Sequence, residues 1–176
     1  VETSAGMLLP DDYLRKISNA VHSVGGIFVL DCVASGALWV DMKQNGVDVL
    51  LSAPQKGWSS TPSSGLVMLS KKAKSILNDT ESDSYVCNLK KWNDVMASYE
   101  NGAHSYHSTM PTDSLVSFRN TLLETEEHGF EKIKNDQINL GKGIRNLLET
   151  KGFKSVASKG FQSTSVVVSY TDTPEI

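Results

Sequence analysis

The stretch that most constrains this chain is Val47-Asp48-Val49-Leu50-Leu51-Ser52-Ala53-Pro54-Gln55-Lys56-Gly57-Trp58. It opens as a short apolar run of the kind a buried parallel strand shows. It breaks at Pro54 and sets the polar pair Gln55-Lys56 just past the strand's carboxyl end. Open α/β sheets bind their ligands at that end. Burial in a pocket favours a neutral amine, so a lysine in this place is a candidate for Schiff-base chemistry. A solvated loop lysine is the plain alternative.

A second run upstream gives the lysine its context. Ile27-Phe28-Val29-Leu30 predicts another buried strand, which delivers Asp31 at its carboxyl end. An acid directly after large apolar residues either caps the following turn or serves as counter-ion to something buried. Two such strands in succession place Asp31 and Lys56 at the same edge of one sheet. An anion and a potential imine nitrogen on one rim suit a cationic heteroaromatic ring between them.

The other elements follow from periodicity and punctuation. Residues 1–6 form a polar turn, and Asp11 or Asp12 caps a helix running to about Val24 with Leu14, Ile17, Val21 and Val24 on one face. Gly25-Gly26 closes it. Met42–Asn45 makes a helical turn before Gly46. Leu66–Leu69 predicts a strand, Ser70–Leu77 a basic helix, and Leu89–Tyr99 an amphipathic segment. His104–Pro111 is a polar-aromatic loop, and a helix starts at Thr112 or Asp113. A long helix spans about Phe130 to Thr150, with Ile133, Leu140, Ile144 and Leu147 on its expected inner face. Ser165–Tyr170 is β-branched and predicts a strand.

Composition removes several classes. Among 176 residues the net charge is −3 and no basic run occurs, so a nucleic-acid partner is not expected. The apolar stretches are too short to span a bilayer, and no signal peptide opens the chain. Cys32 and Cys87 make no disulfide framework, which suits a reducing compartment, the cytoplasm first, with peroxisome or mitochondrion as alternatives. His104 and His107 lack a third ligand for zinc. No G-x-S-x-G elbow, G-x-G-x-x-G fingerprint or Walker loop is present, and Cys32 reads as packing. Val1 and the abrupt close at Ile176 suggest a central piece of a longer protein.

Four short motifs in register carry a family likeness: Glu2-Thr3-Ser4-Ala5-Gly6, Asp31-Cys32-Val33-Ala34-Ser35, Ser52-Ala53-Pro54-Gln55-Lys56 and Tyr106-His107-Ser108-Thr109. Together they resemble the class V aminotransferases, fold type I enzymes of pyridoxal 5'-phosphate, and most closely the alanine–glyoxylate and serine–pyruvate branch. The likeness runs over nearly the whole chain. It implies an α/β fold: part of the large, mainly parallel sheet domain over residues 1–128, then the start of a small C-terminal α+β domain over 129–176. It also implies transfer of an amino group from alanine or serine to glyoxylate or pyruvate. Lys56 matches the Schiff-base lysine and proton shuttle. Asp31 matches the acid that keeps the pyridine nitrogen protonated, so that the ring accepts electrons. Val33 matches a residue packed on the ring face, Thr3 a hydroxyl near the ring oxygen, and Gln55 a phosphate contact. Tyr106 and Thr109 match residues reaching the phosphate of the neighbouring subunit's cofactor, which implies a homodimer with shared sites.

Family members are considerably longer. Their N-terminal phosphate turn, the aromatic stacked on the ring and the arginine that grips the substrate carboxylate have no counterpart here. Cysteine desulfurase or lyase chemistry on the same fold is a rival, although those relatives place His where Gln55 stands. A non-catalytic protein on the same scaffold is another. Against it, keeping a buried acid and a buried lysine without a ligand would be costly.

Overall fold

A computed structural model describes the backbone of Glu2 and Thr3 and all of residues 6–172. The architecture grows from a three-stranded sheet made of β3 (Val29–Asp31), β4 (Val49–Ser52) and β5 (Leu66–Leu69), following a short N-terminal hairpin of β1 (Glu2–Thr3) and β2 (Met7–Leu8). β3 and β4 run parallel, with Val29 opposite Val49 and Asp31 opposite Leu51. β5 joins the other side of β4 antiparallel, with Val49 opposite Leu69 and Ser52 opposite Leu66.

The expected fully buried strand at Ile27–Leu30 is only half buried. Leu30 is wholly inside and Phe28 is buried, whereas Ile27 and Val29 lie 39% and 48% exposed. Helix α1 (Asp11–Ser23) supplies the reason. It covers one face of the sheet, bringing Leu14, with Ile17 and Val21 beside it, onto Phe28, Leu30, Cys32, Val47 and Leu50. The other face of β3 carries no comparable cover among the described residues, so its side chains alternate as in a one-sided strand. Cys32 sits in this core, as its sequence context suggested. The cap of α1 is Pro10, not Asp11 or Asp12, and neither acid makes a side-chain cap. Both lie in the first turn, where their charge favours the positive end of the helix.

Asp48 ties the layers together. Its side chain lies almost wholly inside and accepts hydrogen bonds from the Phe28 N–H (2.9 Å) and the Ser70 hydroxyl (3.2 Å). His22 of α1 reaches the same carboxylate at 2.6 Å, and Lys72 lies 3.9 Å away. One carboxylate thus joins α1, the approach to β3, the start of β4 and the N-terminus of α3 (Lys71–Asn78), whose cap is Ser70. The α2 turn (Met42–Asn45) is capped by Asp41 and closed by Gly46 in the left-handed conformation. A Cβ on Gly46 would collide with the Ser18 hydroxyl, which donates to the Gly46 carbonyl at 2.8 Å.

The remaining helices are α4 (Leu89–Glu100), α5 (Thr112–His128) and α6 (Phe130–Thr150). Two expectations fail here. On α6, Leu140, Ile144 and Leu147 are 60%, 42% and 60% exposed, while Gly141 and Arg145 are buried. The helix turns a small and polar stripe inward because backbone, not side chains, packs against it. The run Ser165–Tyr170 does not form a strand. Among the described residues it makes one antiparallel bridge, Ser155 to Ser169, flanked by hydrogen bonds from Val156 N to Val168 O and from Tyr170 N to Lys154 O. The partner segment goes on into a turn, Phe161 N donating to Ser158 O with Gly160 in positive φ, so among the described residues the pairing extends no further.

The acid stability of the protein should report on Asp48. Burial raises its pKa, but the Phe28 N–H, the His22 and Ser70 hydrogen bonds and the His22 charge outweigh that and hold it below the ordinary value of 3.8. With the folded pKa depressed, the stabilisation is complete above the unfolded value and is lost as pH falls through the lowered one. Urea unfolding of the intact protein at about pH 7 and about pH 3 should therefore show a fall that Asp48→Asn largely removes, with Asp48→Asn about 3 kcal/mol less stable near neutrality. An equal acid loss in both proteins would contradict this role.

Candidate active site

The site is assembled at the carboxyl ends of β3 and β4. Neighbouring strands lie about 4.8 Å apart, and the parallel register continues one step past the strands, where Cys32 N donates to Leu51 O at 2.9 Å. Asp31 therefore leaves the sheet beside Leu51, one residue before β4 ends. The capping role for Asp31 is real: its Oδ1 accepts the Val33 N–H at 2.9 Å and shapes the turn that follows. The carboxylate as a whole is exposed, and Val33 is half-buried.

Beyond Ser52 the chain makes a compact turn over buried Ala53 and Pro54. Lys56 N donates to Ala53 O at 3.5 Å, Ser59 N to Lys56 O at 3.0 Å, and Ser60 N to Pro54 O at 3.0 Å. The Trp58 indole N–H donates to the Ser52 hydroxyl at 3.3 Å and folds the turn back over the strand end. Ser59 sits at φ 57°, a left-handed conformation that costs a non-glycine residue about 1–2 kcal/mol. Held strain of this kind clusters at functional turns. Gln55 and Lys56 stand exposed on the outside of the turn. Lys56 is thus not enclosed by this chain, contrary to the pocket the sequence suggests.

Two contacts that sequence reasoning missed lock this turn. A Cβ on Gly57 would overlap the carbonyl group of Gly36, so the Asp31 loop and the Lys56 turn meet backbone to backbone. On its other side the turn is walled by aromatics. Trp58 lies 4.7 Å from Trp39 and 5.9 Å from Phe118 between ring centroids, and the Trp39 indole N–H donates to Phe130 O at 2.9 Å. A cleft of about 310 Å³ opens between these rings and α5, and neither Lys56 nor Asp31 lines it. The Ser60 hydroxyl is buried within the turn without a hydrogen-bond partner.

Tyr106 and Thr109 come together on their loop, hydroxyl to hydroxyl at 3.1 Å. The loop is pinned from behind. The His107 ring packs 4.5 Å from Tyr85 and 5.0 Å from Trp92, its Nε2 pairs with Tyr85 O at 2.8 Å, and the Tyr85 hydroxyl donates to His107 O. Tyr106 itself is 76% exposed. No hydrogen bond or ring contact among the described residues joins this pair to Asp31 or Lys56. Thr3 pairs with Met7 in the β1–β2 hairpin, and its side chain lies outside the described part of the structure. Among the described residues no group of three or more His, Cys, Asp or Glu is placed to hold a metal ion, and His107 is engaged in ring packing.

Comparison with known proteins places the fold. The chain is 32% identical over 133 residues to the alanine–glyoxylate aminotransferase of Felis catus, an overlap of 74% of this chain and 31% of that protein. It is 26% identical over 167 residues to the 2-aminoethylphosphonate–pyruvate transaminase of Syntrophobacter fumaroxidans, covering 92% of this chain and 42% of the relative. The crystal structure of the Nostoc alanine–glyoxylate aminotransferase superposes with a TM-score of 0.77 at 20% identity, over 93% of this chain and 42% of that one. No family model matches the chain. This chain therefore spans between about a third and two-fifths of the length of the relatives it matches. Its fold is that of the fold type I aminotransferases, and its sequence is similar to the alanine–glyoxylate and aminoethylphosphonate branches.

Proposed function

We propose that this chain carries the lysine-bearing part of a pyridoxal-phosphate-dependent aminotransferase, which moves an amino group from alanine or serine to glyoxylate or pyruvate. The observation that carries the reading is the adjacency of two parallel strand ends, one leading into Asp31 and the other into the Lys56 turn. The donor set fits the cofactor: one amine, one carboxylate with an oxygen beyond its capping bond, and a hydroxyl pair at Tyr106 and Thr109. When bound, the cofactor supplies an electron sink for the bonds at the amino acid's α-carbon. Lys56 would hold the cofactor's aldehyde carbon through its amine and, once displaced, carry the α-proton as a general base. Asp31 would hold the proton on the ring nitrogen with its second oxygen, the first being fixed by Val33 N–H. Val33 would pack on the ring, the Thr3 hydroxyl would lie near the ring oxygen, and Gln55 would contact the phosphate. The Gly36–Gly57 contact would keep acid and amine at one spacing.

A second donor has an observation of its own. The alignment to the Syntrophobacter aminoethylphosphonate transaminase runs over 92% of this chain, against 74% for the feline alanine–glyoxylate enzyme. Assay of the intact protein with alanine plus glyoxylate, and with 2-aminoethylphosphonate plus pyruvate, decides between the two donors. Residues 1–128 form the large domain on this reading and residues 129–176 begin the small one. No helix among the described residues is long and apolar enough to cross a membrane. The free cysteines Cys32 and Cys87 suit a reducing compartment, for which we propose the cytoplasm.

In the intact protein, Lys56→Ala should lower transamination about 10³-fold or more. Asp31→Asn keeps the shape but loses the charge, and should cost about 100-fold in rate, or about 2.7 kcal/mol of barrier, with cofactor retention much less affected. Half-reaction rates near wild type in either variant would remove that residue from the mechanism.

Exposed Tyr106 and Thr109 on a loop pinned from behind suit a loop that crosses to a second copy and meets the partner's phosphate. A mixed dimer of Lys56→Ala with the double variant Tyr106→Phe, Thr109→Ala should then hold one intact and one doubly damaged site, recovering about half of the wild-type activity. Activity no higher than that of the two parents would place each loop in its own subunit's site.

A further inference from the structure

We propose that Arg145 is a positioning residue: through the segment Ser163–Val166 it braces the loop after Asp31 against the Lys56 turn. The proposal rests on the reading that Asp31 and Lys56 form the active site. Arg145 lies on α6, is 5% exposed, and pairs with no carboxylate among the described residues. A buried guanidinium is costly unless something specific receives it. Here one nitrogen donates to the main-chain carbonyl of Ser163, itself fully buried, and Nε has no partner among the described residues.

Arg145 does not act alone. One and two turns earlier on the same face of α6, a Cβ on Gly141 would lie 2.5 Å from the Cα of Thr164, and Gln137 Nε2 donates to Thr164 O at 2.8 Å. These three residues form a rail that grips the main chain of Ser163 and Thr164. The Ser163 hydroxyl then accepts the N–H groups of Ser165 and Val166, each at 3.1 Å, and fixes the bend. From the other side, Gly6 O accepts Ser163 N–H at 2.9 Å.

The grip is transmitted without slack. A Cβ on Gly36 would lie 2.5 Å from the Cβ of Ser165, and the Ser165 hydroxyl donates to Ala34 O at 3.4 Å. Gly36 in turn abuts Gly57, the residue after Lys56. Neither Gly141, Gly36 nor Gly57 has room for a Cβ, so a displacement of the segment must pass to the lysine turn. An apolar residue at position 145 could fill the space equally well. It could not hold a carbonyl and so fix the segment's height above the helix.

Hydrogen exchange on the intact, cofactor-free protein tests this, with Val95→Ala on α4 as a control of comparable loss in thermal stability. Arg145→Ala should speed exchange about tenfold in the peptides covering Ala34–Gly36 and Gln55–Gly57 while leaving α1 and β4 unchanged. Arg145→Lys, which restores a donor for the carbonyl, should recover most of the protection. The visible absorbance maximum of the cofactor-loaded protein should move in the alanine variant and return in the lysine variant. Unchanged exchange at Gln55–Gly57, or an equal increase in Val95→Ala, would overturn the proposal. Should Arg145→Ala fail to fold, Gln137→Ala carries the same test with a smaller increase expected, and no increase there overturns it too. Exchange is read without cofactor, so a failure of the Lys56 assignment leaves this outcome standing and the two remain separable.

Discussion

The parallel pairing of β3 with β4 is the constraint on which the rest depends. Its register sets Asp31 beside Leu51, so that an acid and the turn bearing Lys56 emerge at one edge of the sheet. Nothing in two short strands guarantees that register. A slip by one residue would turn Leu30 out of the core and lose the burial of a whole apolar side chain, about 1.5–3 kcal/mol. Asp48 guards against it chemically. The carboxylate takes the N–H of Phe28 while its own main chain pairs with the Phe28 carbonyl, so the entries to both strands are fixed to each other. Core packing and a charged hub thus select the same alignment.

Beyond the strand ends the working parts are loops, and glycine-mediated backbone contact replaces side-chain packing. Contacts at Gly36 and Gly57 bring the two loops closer than any side chain would allow, and α6 reaches the same place through the segment around Ser163. Such contacts transmit position well because main chain deforms little. Lys56 and Asp31 themselves stand exposed at the edge of the sheet. The chain covers 31% of the feline relative.

Much of this was readable in the residues. The apolar runs ending in Asp31 and Lys56, the glycine stops and the helices from α1 to α6 follow from period and punctuation, and the motifs around those two residues led to the fold that the comparisons bear out. What escaped has a common cause: it depends on partners distant in sequence. The apolar period of α6 points to Leu140, Ile144 and Leu147, yet the inward stripe is buried Gly141 and Arg145 with half-buried Gln137, because the neighbour is a main-chain segment with carbonyls to satisfy. Ser165–Tyr170 has strand propensity but, among the described residues, makes one bridge to a segment that goes on into a turn. Asp48 sits inside an apolar run with no sequence signal of its role, and only the tertiary fold brings His22, Phe28 and Ser70 around it.

The central claim, that Lys56 holds the cofactor, can be read directly from the covalent bond it requires. Pyridoxal phosphate added to the intact protein and reduced with borohydride leaves a stable pyridoxyl mark on whichever lysine formed the imine. Peptide mass analysis should find that mark on the peptide containing Lys56, with the yellow colour bleached as it appears. A mark spread over the surface lysines with Lys56 unmodified, or no mark at all, would contradict the account.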